Sequence, residues 1–319
     1  MSPMRHPAAP EPMPTDFDTV RTEGPSGRDL VAAATERLQA AGSPTPRLDS
    51  ELLVAHAFGR DRTWLLAHPE TTLDDGSAAA LAGWLERRAG GEPVAYIRGF
   101  KEWLSQRVIT DARALIPRPE TELLAEAAIE EIAGRLVRDA QPIAAWEVAT
   151  GSGAVALALA MRFRTSLALG RLRLGATDIS AEALELAAEN LSAHGVPGLV
   201  SLGCGDLLDP PVLPAPQQPD VVVANLPYLT SAEVAAGSGS LLFEPRGALD
   251  GGADGLGLVR RLVTLLPDRL APGGVALLEI GQGQLPAVRE MVGELPIGAR
   301  LTAMSDLAGI ERVVRIARE

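Results

Sequence analysis

The residues Asn225-Leu226-Pro227-Tyr228 directly follow the apolar run Asp220-Val221-Val222-Val223-Ala224. A polar amide, a proline and an aromatic ring at the carboxyl end of a buried strand are poor core material. Together they can cradle a flat, weakly nucleophilic nitrogen that is to receive a methyl group.

Three further positions supply ligand-type residues. Glu147-Val148-Ala149-Thr150-Gly151-Ser152-Gly153 is a turn of small residues between a strand and a helix. Its backbone can pass close to a ligand, and the helix that follows offers unpaired N–H groups. Many αβ turns use glycine for packing alone, so the turn gains weight from Asp178, which ends the next strand. An acid about 20 residues beyond a glycine turn can accept both hydroxyls of a ribose, although Asp178 could equally cap the helix that starts at Ser180-Ala181. Asp206, beyond a third strand, could accept from an adenine amino group while Leu207 packs against the ring. Taken alone, Asp206 is a loop residue. Three such strand ends in succession describe a nucleoside site. A nicotinamide dinucleotide is disfavoured, because Ala156 stands where the third glycine of G-x-G-x-x-G usually falls. The Asn-Leu-Pro-Tyr end has no obvious role in hydride transfer and a clear one in methylation.

The elements that hold these ends alternate. Strands are expected over 143–148, 171–177, 199–202, 221–224, 275–280 and 312–316, and helices over 153–162, 181–194, 256–270 and 285–292. Such alternation means βαβ units and a mostly parallel sheet covered on both faces, with ligands outside the carboxyl ends of the strands. Ahead of it, residues 25–90 repeat apolar side chains at helical spacing, as in Leu30, Val31, Ala34 and Leu38, with Asp61 placed to cap a short helix. Val94-Ala95-Tyr96-Ile97 and Arg107-Val108-Ile109 read as β-type runs around a turn at Gly99, so 91–114 is expected to be a linking hairpin. Leu115 to Glu122 opens a helix stiffened by Pro117 and Pro119, either a capped helix start or a rigid lip beside a cofactor pocket.

Composition removes other classes. Of 319 residues 46% are hydrophobic, enough for a sizeable core, and the net charge is −12 (29 basic minus 41 acidic). An acidic chain is a poor non-specific binder of nucleic acid, which rests on neutralising phosphates. Cys204 stands alone and His6, His56, His68 and His194 lack ligand spacing, so no metal is expected. No apolar run approaches the length of a membrane span, and Met1–Pro14 lacks the apolar region of a signal peptide. The expectation is a cytoplasmic protein with a disordered tail over residues 1–24.

The chain from about Arg28 to Arg318 resembles the class I S-adenosylmethionine-dependent methyltransferases. Within them it looks like the protein-(glutamine-N5) methyltransferases that modify peptide chain release factors. Besides the nucleoside motifs, the likeness is carried by Leu115–Glu122, Phe243-Glu244-Pro245, Gly251–Leu256, Leu278-Glu279-Ile280-Gly281-Gln282-Gly283 and Asp306–Arg312. It implies an α/β, Rossmann-like methyltransferase domain over 115–319, preceded by a small all-helical domain that helps hold the release factor. The implied activity is methyl transfer from S-adenosylmethionine to the glutamine of a Gly-Gly-Gln motif, by a monomer that binds neither nucleic acid nor membrane. The implied cofactor residues are Glu147, Ala149, Thr150, Gly151, Ser152, Gly153, Asp178, Asp206, Leu207 and Asn225, and the implied catalytic and substrate residues are Asn225, Leu226, Pro227 and Tyr228.

Two departures matter. The family's Asp-Leu-Gly-Thr-Gly-Ser-Gly has Glu147 and Ala149 here, and alanine is costly at 149 if its φ is positive. The usual Asn-Pro-Pro-Tyr has Leu226, as in adenine-N6 dimethylases of ribosomal RNA. A backbone carbonyl at 226 does not depend on its side chain, and Leu226 still precedes Pro227 and stays extended. Nucleic-acid adenine methylation, glutamine methylation of a ribosomal protein and a non-catalytic adaptor are the competing readings.

Overall fold

The computed structural model describes residues 24–209, 218–237 and 239–319. The tail expected to be disordered, residues 1–24, lies outside the described residues except for Gly24. The chain divides into two compact units, one ending at Leu85 and the other beginning at Glu86.

The first unit is helical: α1 (Gly27–Ala40), α2 (Pro46–Ala57), α3 (Arg62–Ala67) and α4 (Asp75–Ala89), the last running past the division. Ser26 and Asp29 form a capping box at the start of α1. Pro46 opens α2, and Asp61 caps α3 by accepting from the Trp64 N–H at 2.7 Å. Leu38, Leu53, Leu65 and Leu81 are buried. Glu51 is buried too, and its two oxygens accept from Arg47 at 2.9 Å and Arg62 at 2.6 Å.

The second unit opens with a correction. Val94–Arg98 is a helix, α5, not a strand. Pro93 supplies its N-cap, and Gly99 ends it in the left-handed conformation. The hairpin lies one step later, between β1 (Phe100–Trp103) and β2 (Gln106–Ile109), and turns at Leu104-Ser105 rather than Gly99. Both turn residues have positive φ, 43° and 60°, the backbone twist that suits a two-residue hairpin.

After α6 (Thr121–Arg138) come β3 (Ile143–Val148), α7 (Ala154–Arg162), α8 (Arg164–Ala168), β4 (Leu172–Asp178), α9 (Ala181–Ala193) and β5 (Val200–Cys204). Then follow β6 (Val221–Asn225), α10 (Ser231–Ala235), α11 (Gly257–Arg269), β7 (Val275–Glu279), α12 (Leu285–Gly293), β8 (Ala299–Ser305) and β9 (Glu311–Arg318). The seven-stranded sheet has the order β5-β4-β3-β6-β7-β9-β8. β9 runs antiparallel to its neighbours β7 and β8; the other pairs are parallel. β8 was not expected from sequence.

Both faces of this sheet are covered. In β3, Ile143 and Ala145 face one core with Leu157 and Leu174. Ala144, Trp146 and Val148 face the other with Leu262 and Leu278. That is why β3 and β6 read as continuous apolar runs. The strand order reverses between β3 and β6, which places a crevice at their carboxyl ends.

Candidate active site

A cavity of about 400 Å³ opens at the carboxyl ends of β3, β4, β5 and β6. All the expected site residues line it except Gly153 and Tyr228.

The turn after β3 is held from below and from the side. Thr150 N–H donates to the Thr177 carbonyl at 2.9 Å, and Gly151 N–H to Asp178 Oδ2 at 2.8 Å. Ala149 has φ 56°, the strained conformation that the alanine made a concern. Gly153 is a packing glycine: a Cβ there would stand 2.8 Å from the Cβ of Ala187 on α9. Asn190 of α9 is buried and ties the turn to the hairpin, donating to the Ser152 carbonyl at 2.9 Å while exchanging hydrogen bonds with the Ile109 backbone.

Three carboxylates face the cavity. Glu147 accepts from Thr150 Oγ1 at 2.8 Å, yet burial outweighs this and pushes its pKa up to about 8. Burial also raises Asp178, against the N–H groups of Ser180 and Gly151 that favour its charged form. The helix cap after β4 belongs to Ser180, whose side chain accepts from the Ala183 N–H. Asp178 therefore keeps lone pairs for a ligand. Asp206 accepts from Arg261 of α11 at 2.6 Å, an exposed pair that adds little stability. Leu207 beside it is buried with φ 58°.

Asn225 ends β6 with its amide at the cavity, Nδ2 donating to Thr121 Oγ1 at 2.9 Å. In this orientation Oδ1 remains an acceptor. Leu226 buries its side chain in the core with Leu256 and Ile280, so the leucine is used in packing. Tyr228, which does not line the cavity, has its carbonyl accepting from Gln284 Nε2 at 3.0 Å. A Cβ at Gly255 would overlap that carbonyl, which explains the glycine-rich stretch.

The segment before α6 forms one wall through Ala114, Leu115, Pro117 and Arg118, as expected of a lip. It is tied on several sides. Tyr96 Oη donates to the Ala114 carbonyl at 2.7 Å and Trp103 Nε1 to that of Arg118 at 2.8 Å. Glu244 accepts from the Ile116 N–H at 3.0 Å and from Arg118 at 2.6 Å. Thr121, Arg261 and Glu279 were not among the expected site residues, although Thr121 and Glu279 fall in stretches that carry the family likeness. Their partners lie on other elements, and no local spacing announces them.

Among the described residues no group of His, Cys, Asp and Glu could hold a metal ion, and no helix is long and apolar enough to cross a membrane.

Residues 29–99 match the PrmC N-terminal domain family. The release factor glutamine methyltransferase of Bordetella pertussis is 37% identical over 268 residues, 84% of this chain and 93% of that protein. Its namesake from Deinococcus radiodurans is 37% identical over 292 residues, 91% and 98% of the two chains. Among solved structures, a ribosomal protein L11 methylase from Lactobacillus delbrueckii subsp. bulgaricus gives a TM-score of 0.43 at 22% identity over 63% of this chain and 80% of that one. That likeness is too low to carry an argument.

Proposed function

We propose, for a chain that belongs to the release factor glutamine methyltransferase family, that it methylates the side-chain N5 of the glutamine in the Gly-Gly-Gln motif of a peptide chain release factor. The methyl donor is S-adenosylmethionine, which supplies an electrophilic methyl group on a sulfonium. The observation that carries this reading is the placement of the Asn225 amide on the same cavity as Glu147, Asp178 and Asp206.

The donor set fits that molecule. Asp178 can accept from ribose hydroxyls, Asp206 with Leu207 can meet an adenine edge, and Glu147 offers a buried carboxyl that the cationic groups of the ligand would draw toward its charged form. The acceptor is the harder problem, because an amide lone pair is delocalised into its carbonyl. Asn225 Oδ1 accepts one N–H of the glutamine amide and the Leu226 carbonyl accepts the other. The nitrogen lone pair is thereby turned toward the methyl group. No strong base is needed, since the product loses its proton after transfer. Orientation then supplies most of the rate, up to about 7–11 kcal/mol. The helical residues 25–90 help hold the release factor.

The test incubates the protein with labelled S-adenosylmethionine and a purified release factor, alongside the same factor with its Gly-Gly-Gln glutamine replaced. Peptide mass spectrometry locates the methyl group. Label on that glutamine and none in the substituted factor is expected. Label retained after the replacement, or found only on ribosomal protein or RNA, would overturn the assignment.

A further inference from the structure

The two ends of the Asn225 amide are alike in shape and opposite in chemistry: Oδ1 accepts and Nδ2 donates. Which end faces the cavity decides whether Asn225 can accept an N–H from an incoming amide. Nδ2 donates to Thr121 Oγ1 at 2.9 Å. Thr121 alone does not enforce this, because a hydroxyl could equally donate to Oδ1 of an amide turned over.

Glu279 removes that freedom. It ends β7 as the register partner of Asn225 in a parallel pair, so the two side chains leave the sheet on one face. It is 1% exposed, and the Thr121 hydroxyl stands beside its carboxyl, close enough to stabilise the charged form. In its ionised form the Glu279 carboxylate only accepts and so draws the Thr121 proton. With the Thr121 proton committed there, Thr121 Oγ1 is left to accept from Asn225. The arrangement is costly, since Glu279 Oε2 is buried without a hydrogen-bond partner. Glu279 does not line the cavity, whereas Thr121 does.

We infer that Thr121 and Glu279 are positioning residues: they lock the Asn225 amide with Oδ1 toward the cavity and act through Asn225. The inference rests on the proposed transfer to a glutamine amide, in which that oxygen must accept.

One readout needs no substrate. The side-chain amide protons of Asn225, identified in NMR spectra by their loss in Asn225→Ala, are protected from exchange in the wild type and in Thr121→Ser. In Thr121→Val their exchange rises about tenfold, the loss of one hydrogen bond. In turnover, Thr121→Val lowers kcat by about ten- to a hundredfold with KM for the release factor little changed, and Thr121→Ser restores it. Glu279→Gln lowers kcat in the wild-type background and adds nothing in Thr121→Val, the signature of two groups in one chain of contacts.

Wild-type exchange and wild-type kcat in Thr121→Val would overturn the inference. So would a Thr121→Ser variant as impaired as Thr121→Val, which would make the role one of packing. An equal effect of Glu279→Gln in both backgrounds would remove Glu279 from the relay. A wild-type protein that labels no release factor would overturn the substrate assignment, while the amide exchange still decides this one.

Discussion

At the scale of single residues, Ala149 is the clearest departure from what its position asks for. Its φ of 56° is a conformation that costs an alanine about 1–2 kcal/mol and a glycine almost nothing. Glycine also gains about 0.4–1 kcal/mol of freedom in the unfolded chain. Ala149→Gly should therefore stabilise the protein by about 0.5–1 kcal/mol, read from the midpoint of urea unfolding. An unchanged or lower midpoint would show that the turn holds alanine without strain. The strain was foreseeable, because a small-residue turn has few places for a side chain. For Leu226 the independence of its backbone carbonyl from the side chain was legible, but the packing of that side chain into the core was not. The salt bridge between Asp206 and Arg261 was not legible, because α11 reaches Asp206 from 55 residues away in sequence.

At the scale of elements, the lip before α6 is positioned by contacts to α5, the hairpin and the loop that carries Glu244. The Glu244 side chain is fully buried, while its partner Arg118 keeps access to water. Glu244→Ala leaves the Ile116 N–H and Arg118 without their acceptor and should cost about 2–3 kcal/mol. Calorimetry should show weaker S-adenosylmethionine binding in the same variant. Unchanged stability together with unchanged affinity would mean that the lip is rigid without Glu244. The elements misread from sequence share a cause. Val94–Ile97 is β-branched and aromatic, yet Pro93 and Gly99 bracket it with a helix start and stop, and five residues are too few to show a period. The hairpin turn has Leu104 and Ser105 where glycine or asparagine is the usual signal. β8 pairs only with β9, and its side chains are half-buried or exposed, so its pattern is faint. The strands β3, β6 and β7 announce themselves because both their faces are buried.

At the scale of the whole molecule, the sheet gathers buried carboxyls at the ends of its strands, and this sets how stability varies with pH. Burial raises Glu147 to about 8 and Glu279 to about 7. Around Glu279 stand Glu120, Arg118, Arg312 and Tyr228, and desolvation outweighs the two arginines. The folded protein keeps these protons at pH values where the unfolded chain has released them. Their contribution is present below the ordinary carboxylate range and is lost as pH rises through about 7 and 8. Carboxylates held low, Asp111 and Glu131 by arginines and Asp306 by the Ile310 N–H and then Arg312, act in the opposite sense, but only at more acid pH. The melting temperature without ligand should fall from about pH 5 to about pH 8, less steeply in Glu279→Gln. A rising curve over that window would contradict the assignment.

The proposed function divides two tasks among the same strand ends, holding the methyl donor and orienting the acceptor nitrogen. The measurement that tests this division most directly is Asn225→Ala, assayed in parallel for methyl transfer to the release factor and for S-adenosylmethionine affinity by calorimetry. Transfer lost by at least about a hundredfold, with affinity changed by no more than about threefold, is the predicted result. Affinity lost in proportion to rate would mean that Asn225 serves the donor site and that the cradle for the glutamine amide is wrongly placed.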